Sequence, residues 1–91
     1  MTIKLRTFSL SRYVDAALER AEYLRDEDGV VVANVPEASG FFAQGDTFED
    51  ARANLRDAIE GSILLALQIG LPIPFIPGVT IEEQDAQAYG A

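Results

Sequence analysis

The sequence predicts an α+β domain: an N-terminal helix, a three-stranded antiparallel sheet (a hairpin plus a short third strand) and one long helix on which the sheet packs. Three observations carry this. Phe48, Ala51, Leu55, Ile59, Ile63 and Ala66 step by three and four, the repeat that lines one face of a helix. Val30 to Val35 is almost entirely β-branched, follows the turn-forming pair Asp28-Gly29, and is closed by Pro36, which cannot donate to a strand ladder. Upstream, Leu10, Val14, Ala17, Leu18 and Ala21 form a second helical stripe.

Taken in order, Ile3, Leu5 and Thr7 alternate with Lys4 and Arg6, which suits a short lead-in strand. Ser9 or Ser11 can cap the first helix by accepting a hydrogen bond from a free backbone N–H. Glu22 to Asp26 is the first hairpin strand, and Asp28-Gly29 suits a two-residue turn that needs positive φ. In the second strand Val31, Ala33 and Val35 share one face and Val30 and Val32 the other, so both faces call for cover. A turn, "PEASG", leads to a short strand, "FFAQ", with Phe41 and Ala43 opposed to Phe42 and Gln44. At the corner "QGDT", Gly45 is expected to supply a backbone angle denied to other residues, and Thr47 to cap the long helix in a capping box shortened by Asp50. Asp46, Glu49 and Asp50 place negative charge at the positive end of the helix dipole. The helix, roughly 33 Å long at 1.5 Å per residue, is apolar nearly all round in "SILLALQIG" and stops at Gly70, with Pro72 preventing continuation. The extended, proline-rich "LPIPFIPGVTI" can lay Leu71, Ile73, Phe75 and Ile76 over that end, and Val79 to Ile81 suits a last strand. Residues 1–81 are expected to form the single domain and 82–91 a flexible acidic tail.

Composition narrows the function. A chain of 91 residues is one small domain. With no Cys and no His, it has no disulfides, no ordinary zinc site, no Cys or His nucleophile and no His acid–base pair. Oligomerisation is the remaining way for so small a core to gain stability, and the surplus apolar surface points to a homodimer or larger homo-oligomer. The net charge of −8, from 15 acidic and 7 basic residues, disfavours direct nucleic-acid binding and favours a basic partner. No apolar run is long enough for a membrane span and the N-terminal stretch is unlike a signal peptide, so a cytoplasmic protein is expected.

No constellation supports turnover. Asp26, Glu27 and Asp28 are consecutive, so their carboxylates diverge, and neither they nor Asp46, Glu49 and Asp50 match a Ca²⁺ loop. Ser11, Ser39 and Ser62 have no His to activate them and Lys4 is the only lysine. Gly40 and Gly45 match no phosphate-binding loop, and Tyr13, Tyr23 and Tyr89 carry no motif. A non-enzyme without cofactor or metal is expected.

The hairpin, then "NVPEASGFFAQGDTFEDARANLRDAIEGSI", then "GLPIP", resembles the HicB-like antitoxin family over about Glu22 to Pro74. The matching positions are Val35-Pro36-Glu37, Gly40, Gln44-Gly45-Asp46-Thr47, Ala51, and Gly70 to Pro74, including Pro72. The opening helix resembles a subgroup that places a helix before the hairpin. The resemblance implies a partial ribonuclease-H-like fold without working catalytic carboxylates. It also implies a module that neutralises a small basic HicA-like mRNA-cleaving toxin by occluding it. Full-length members often add a C-terminal DNA-binding module. Too few residues follow Ile81 for one here, so a stand-alone member without direct DNA binding is expected. For a basic toxin the candidate contacts are Asp26, Glu27, Asp28, Glu37, Asp46 and Glu49. The alternative is an orphan oligomeric domain, structural or regulatory, with no toxin.

Overall fold

In the computed structural model, which describes the backbone of residues 2–87 and the side chains of residues 5–82, the order is β1 (Thr2–Thr7), α1 (Leu10–Glu19), β2 (Glu22–Arg25), β3 (Val31–Val35), β4 (Ala38–Gly45), α2 (Phe48–Ile69) and β5 (Glu82–Gln87). Strands β2, β3 and β4 form a three-stranded antiparallel sheet in that order. Helix α2 lies across one face of it, chiefly on β4, and α1 packs beside α2. The α+β architecture expected from the patterning is the one observed.

Each layer contributes one stripe to the core. Helix α1 supplies Tyr13, Val14, Ala17 and Leu18, the sheet supplies Val31, Ala33, Val35 and Phe41, and α2 supplies Ala51, Leu55, Ile59 and Ile63. Burying each larger aliphatic among these contributes about 1.5–3 kcal/mol. Ile76, from the proline-rich segment, closes the end of the core. The stripe on α1 also includes Tyr13, whose ring meets Phe8 and Phe41 edge-on and whose hydroxyl donates to the Pro74 carbonyl at 2.6 Å. Tyr13 thereby ties the opening helix to the segment that follows α2. Burial pushes its hydroxyl from the ordinary 10.0 up to about 12.

The helix ends are built as their sequences require. Ser9 is the cap of α1, accepting from the Arg12 N–H at 3.3 Å. Thr47 caps α2, its Oγ1 accepting from the Asp50 N–H at 3.0 Å. Gly70 ends α2 in the left-handed region, φ 74°, and its N–H returns to the Ala66 carbonyl. Arg6 of β1 reaches the same end and donates to the carbonyls of Leu71 and Ala66 at 2.8 and 3.3 Å, placing a cation at the negative pole of the helix.

Four local expectations are corrected. The turn from β2 to β3 is not a two-residue one. Asp26 and Val30 pair through the backbone at 2.8 Å, leaving Glu27, Asp28 and Gly29 as the loop, and of these only Gly29 has positive φ, at 84°. The Asp26 carboxylate accounts for this, since Oδ1 accepts from the Asp28 and Val30 N–H groups and holds the wider turn. Strand β4 is longer than "FFAQ", running from Ala38, because Pro36 and Glu37 alone make the turn and the pairing shifts register between Asn34 and Val35. Gly45 does not have positive φ. It is required for closeness instead: a Cβ there would lie 2.5 Å from the Ala51 nitrogen. Finally, Glu82–Gln87, expected in a flexible tail, form β5 and pair antiparallel with β1. The register sets Lys4 opposite Asp85 and Arg6 opposite Glu83. Val79 to Ile81, suggested as a last strand, are not in a strand, since the pairing with β1 begins only at Glu82; the last four positions, Tyr89 among them, lie outside the described residues.

Two outcomes follow. Gly45→Ala is expected to lower unfolding stability by about 2 kcal/mol through overpacking. Gly40→Ala is expected to be close to neutral, because its Cβ would meet nothing within 4 Å. Urea denaturation of both variants checks this. The raised Tyr13 value makes the neutral hydroxyl the form the fold prefers. Its stabilisation is complete below pH 10.0 and declines as pH rises from there through about 12. Urea midpoints on either side of that window should fall in the parent, and less steeply in Tyr13→Phe.

Candidate functional site

The antiparallel register gathers the charge. Val31 pairs with Gly45, so the β2–β3 turn and the corner before α2 lie at the same end of the sheet. Five of the six candidate carboxylates, Asp26, Glu27, Asp28, Asp46 and Glu49, therefore stand together at that end, all on exposed residues. Glu37 does not join them. It sits in the β3–β4 turn at the opposite end, the length of β3 away, and is ion-paired with Arg20. The Asp26 carboxylate is occupied by the Asp28 and Val30 N–H groups, whereas Glu27 and Asp28 have no side-chain partner among the described residues. The cation on β2, Arg25, is exposed but held locally: it donates to the Gly29 carbonyl at 2.9 Å and lies 5.2 Å from the centre of the Phe48 ring.

Between the turn and the helix start is an open cavity of about 310 Å³, lined by Val30, Gln44, Gly45, Asp46, Asp50 and Asn54 among others. Asn54 crosses it to donate to the Gln44 carbonyl at 2.8 Å. Among the described residues no group of three or more His, Cys, Asp or Glu converges as a metal site. What this end of the molecule offers is fixed negative charge.

Beside it lies uncovered apolar surface. The rows Leu24–Val32–Gln44 and Glu22–Asn34–Phe42 cross the sheet on the face turned away from α2. Leu24 is 71% and Phe42 63% exposed. The opposition of Phe41 and Phe42 is legible from alternation, and so is Leu24 once Tyr23 is placed inward against Phe48. The Tyr23 hydroxyl is buried and finds no hydrogen-bond partner among the described residues.

The motif positions are structural. Pro36 forms the turn, Gly40 lies within β4, and Gln44 supplies the carbonyl held by Asn54. Ala51 is fully buried beneath Gly45, while Gly70, Pro72 and Pro74 end the helix and turn the chain back. Among the described residues no helix is long and apolar enough to cross a membrane.

The sequence profile of the family described as UPF0150-like matches residues 12–74. UPF0150 protein ssr1258 of Synechocystis sp. is 39% identical over 36 residues, 40% of this chain and 52% of that protein. UPF0150 protein Ta0767 of Thermoplasma acidophilum is 46% identical over 39 residues, 43% of this chain and 56% of that protein. The chain thus spans about half the length of these curated relatives. Among solved structures, TTHA0281 from Thermus thermophilus superposes with a TM-score of 0.71 at 27% identity, over 89% of this chain and 95% of that one. The N-terminal domain of the Burkholderia pseudomallei antitoxin HicB superposes with a TM-score of 0.55 at 21% identity, over 75% of this chain and 95% of that one. This likeness in fold agrees with the resemblance carried by the "VPE", "QGDT" and "GLPIP" segments.

Proposed function

The chain belongs to the UPF0150-like family, and from that premise we propose that it is a HicB-like antitoxin module acting by binding, without turnover, in the cytoplasm. It neutralises a small basic HicA-like toxin that cleaves mRNA, by covering the toxin's phosphate-binding surface. The observation that supports this most directly is the acidic end of the sheet. Four exposed carboxylates, Glu27, Asp28, Asp46 and Glu49, stand at one end of the sheet whose outward face also exposes Leu24 and Phe42. Negative charge steers a cationic partner in, and exposed apolar side chains such as these supply contact area that holds it. The similarity in fold to the N-terminal domain of an antitoxin supports the same reading.

A second reading, an orphan oligomeric domain with no toxin, is favoured by a separate observation: the C-terminal half of α2 exposes Leu64, Leu65, Leu67 and Ile69 far from the acidic end. A purified homo-oligomer with no small basic gene beside its own would support it.

Mixing the chain with the small basic protein encoded beside it should abolish RNA cleavage at equimolar ratio. Cleavage that persists at stoichiometric excess overturns the antitoxin reading. Within the complex, Glu27→Lys with Asp28→Lys is expected to slow association roughly tenfold and flatten its salt dependence. Glu37→Gln, at the other end of the sheet, is expected to change neither. Stopped-flow association at two ionic strengths checks both.

A further inference from the structure

The three-stranded sheet is covered on one face only. Helix α2 packs on the inward side with α1 beside it. Strand β3 nevertheless brings valines to both sides. Val31 and Val35 are buried beneath the helices, while Val30 and Val32 face outward and are half-buried. A strand apolar on both faces is the kind that lies between two layers. The outward face has the shape of a trough. Leu24 on β2 and Phe42 on β4 form its walls, and Val32 and Asn34 form its floor. The walls stand two strand spacings, roughly 10 Å, apart across the sheet. That is about the width of an α-helix. The sheet edges, by contrast, are guarded against an added strand. Strand β4 is irregular at the Asn34/Val35 register shift, and its Gln44 carbonyl is held by Asn54. Strand β2 is only four residues long and carries Glu22 and Arg25.

Charge and length decide what fits the trough. From Glu22 to Asp46 the sheet and its turns hold the acidic residues Glu22, Asp26, Glu27, Asp28, Glu37 and Asp46 and a single cation, Arg25. Arg25 is engaged with the Gly29 carbonyl and the Phe48 ring. Glu22 borders the trough, and Glu27, Asp28 and Asp46 stand at one end of it. At the other end Glu37 is ion-paired with Arg20. A second copy laid on this face would bring acidic groups against acidic ones, whereas a cationic segment meets opposite charge. Strand β3 has five residues, roughly 17 Å of extended chain. A helix of about eleven residues spans that length. Its N-terminal end, the positive pole, is favoured beside the carboxylates. We infer that the outward face of the sheet seats one amphipathic helix of a basic partner, lying along β3 with its apolar stripe on Leu24, Val32 and Phe42 and its N-terminus toward the acidic end. The sheet thereby becomes the middle layer of three. This seat rests on the antitoxin reading and adds to it the kind of element by which the partner is held.

Binding of the full chain to the small basic protein encoded beside it tests the seat. Leu24→Ser and Phe42→Ser, both at exposed side chains, should each raise the Kd of that complex roughly 30-fold. The change should lie in faster dissociation, with the circular dichroism spectrum of the parent. Phe75→Ser, at a ring 74% exposed on another surface, should leave the Kd unaltered. The chain has no cysteine, so Asn34→Cys can carry a single photo-crosslinker on the trough floor. The partner residues it captures should step by three and four, the spacing of one helix face. Inhibitory binding that is indifferent to both serine variants overturns the seat and leaves the antitoxin reading standing. So do captured residues that step by two, or that belong to a second copy of the chain. RNA cleavage that persists at stoichiometric excess overturns the antitoxin reading and the seat with it. If either serine variant changes the spectrum, the residues captured from Asn34→Cys decide the question.

Discussion

The close seating of α2 on the end of β4 is the contact on which the rest depends. Gly45 has no side chain, and the backbone of Asp50 and Ala51 occupies the space where one would be. Thr47 caps the helix two residues later, so the chain turns from strand to helix with little freedom. Because the corner fixes where α2 begins, it also fixes the phase of the helix. Ala51, Leu55, Ile59 and Ile63 then fall on the sheet and α1 without further adjustment. The same corner sets Asp46 and Glu49 beside the β2–β3 turn. One tight junction positions both the core and the acidic end.

The parts of this fold that are local and periodic can be read from the sequence. Helix α2, its Thr47 cap and Gly70 stop, and the inward face of β3 all follow from spacing and turn chemistry. The parts that depend on distant chain are not legible. Residues 82–87 look like a polar tail because nothing near them in sequence shows that their partner is β1. The role of Gly45 is hidden for a related reason: a close backbone approach and a positive φ both call for glycine, and only the packed helix distinguishes them. Of the candidate contact residues, composition does not separate Glu37 from the rest, since its distance from them is set by the β3–β4 pairing. Asp26 does carry a signal of its own, because an Asp two residues before another turn residue often bonds the backbone of its own turn.

The distribution of charge along α2 gives the molecule two unlike ends. Acidic residues crowd the helix start, where they also suit the dipole, while the last turns are apolar and end against Arg6. A single helix of 22 residues thereby keeps an electrostatic surface and a hydrophobic one apart. The core in between, tied by Tyr13 to Pro74, is shared by both.

The β1–β5 ribbon joins Thr2 to Gln87, the most distant segments described. Such a pairing closes almost the whole chain into a loop, so its entropy cost is best met after the body is in place. A two-stranded ribbon is also marginal by itself. Its amides should therefore exchange with deuterium well before those of β3, and a chain trimmed of both strands should retain the hairpin, β4 and the two helices as a cooperative unit.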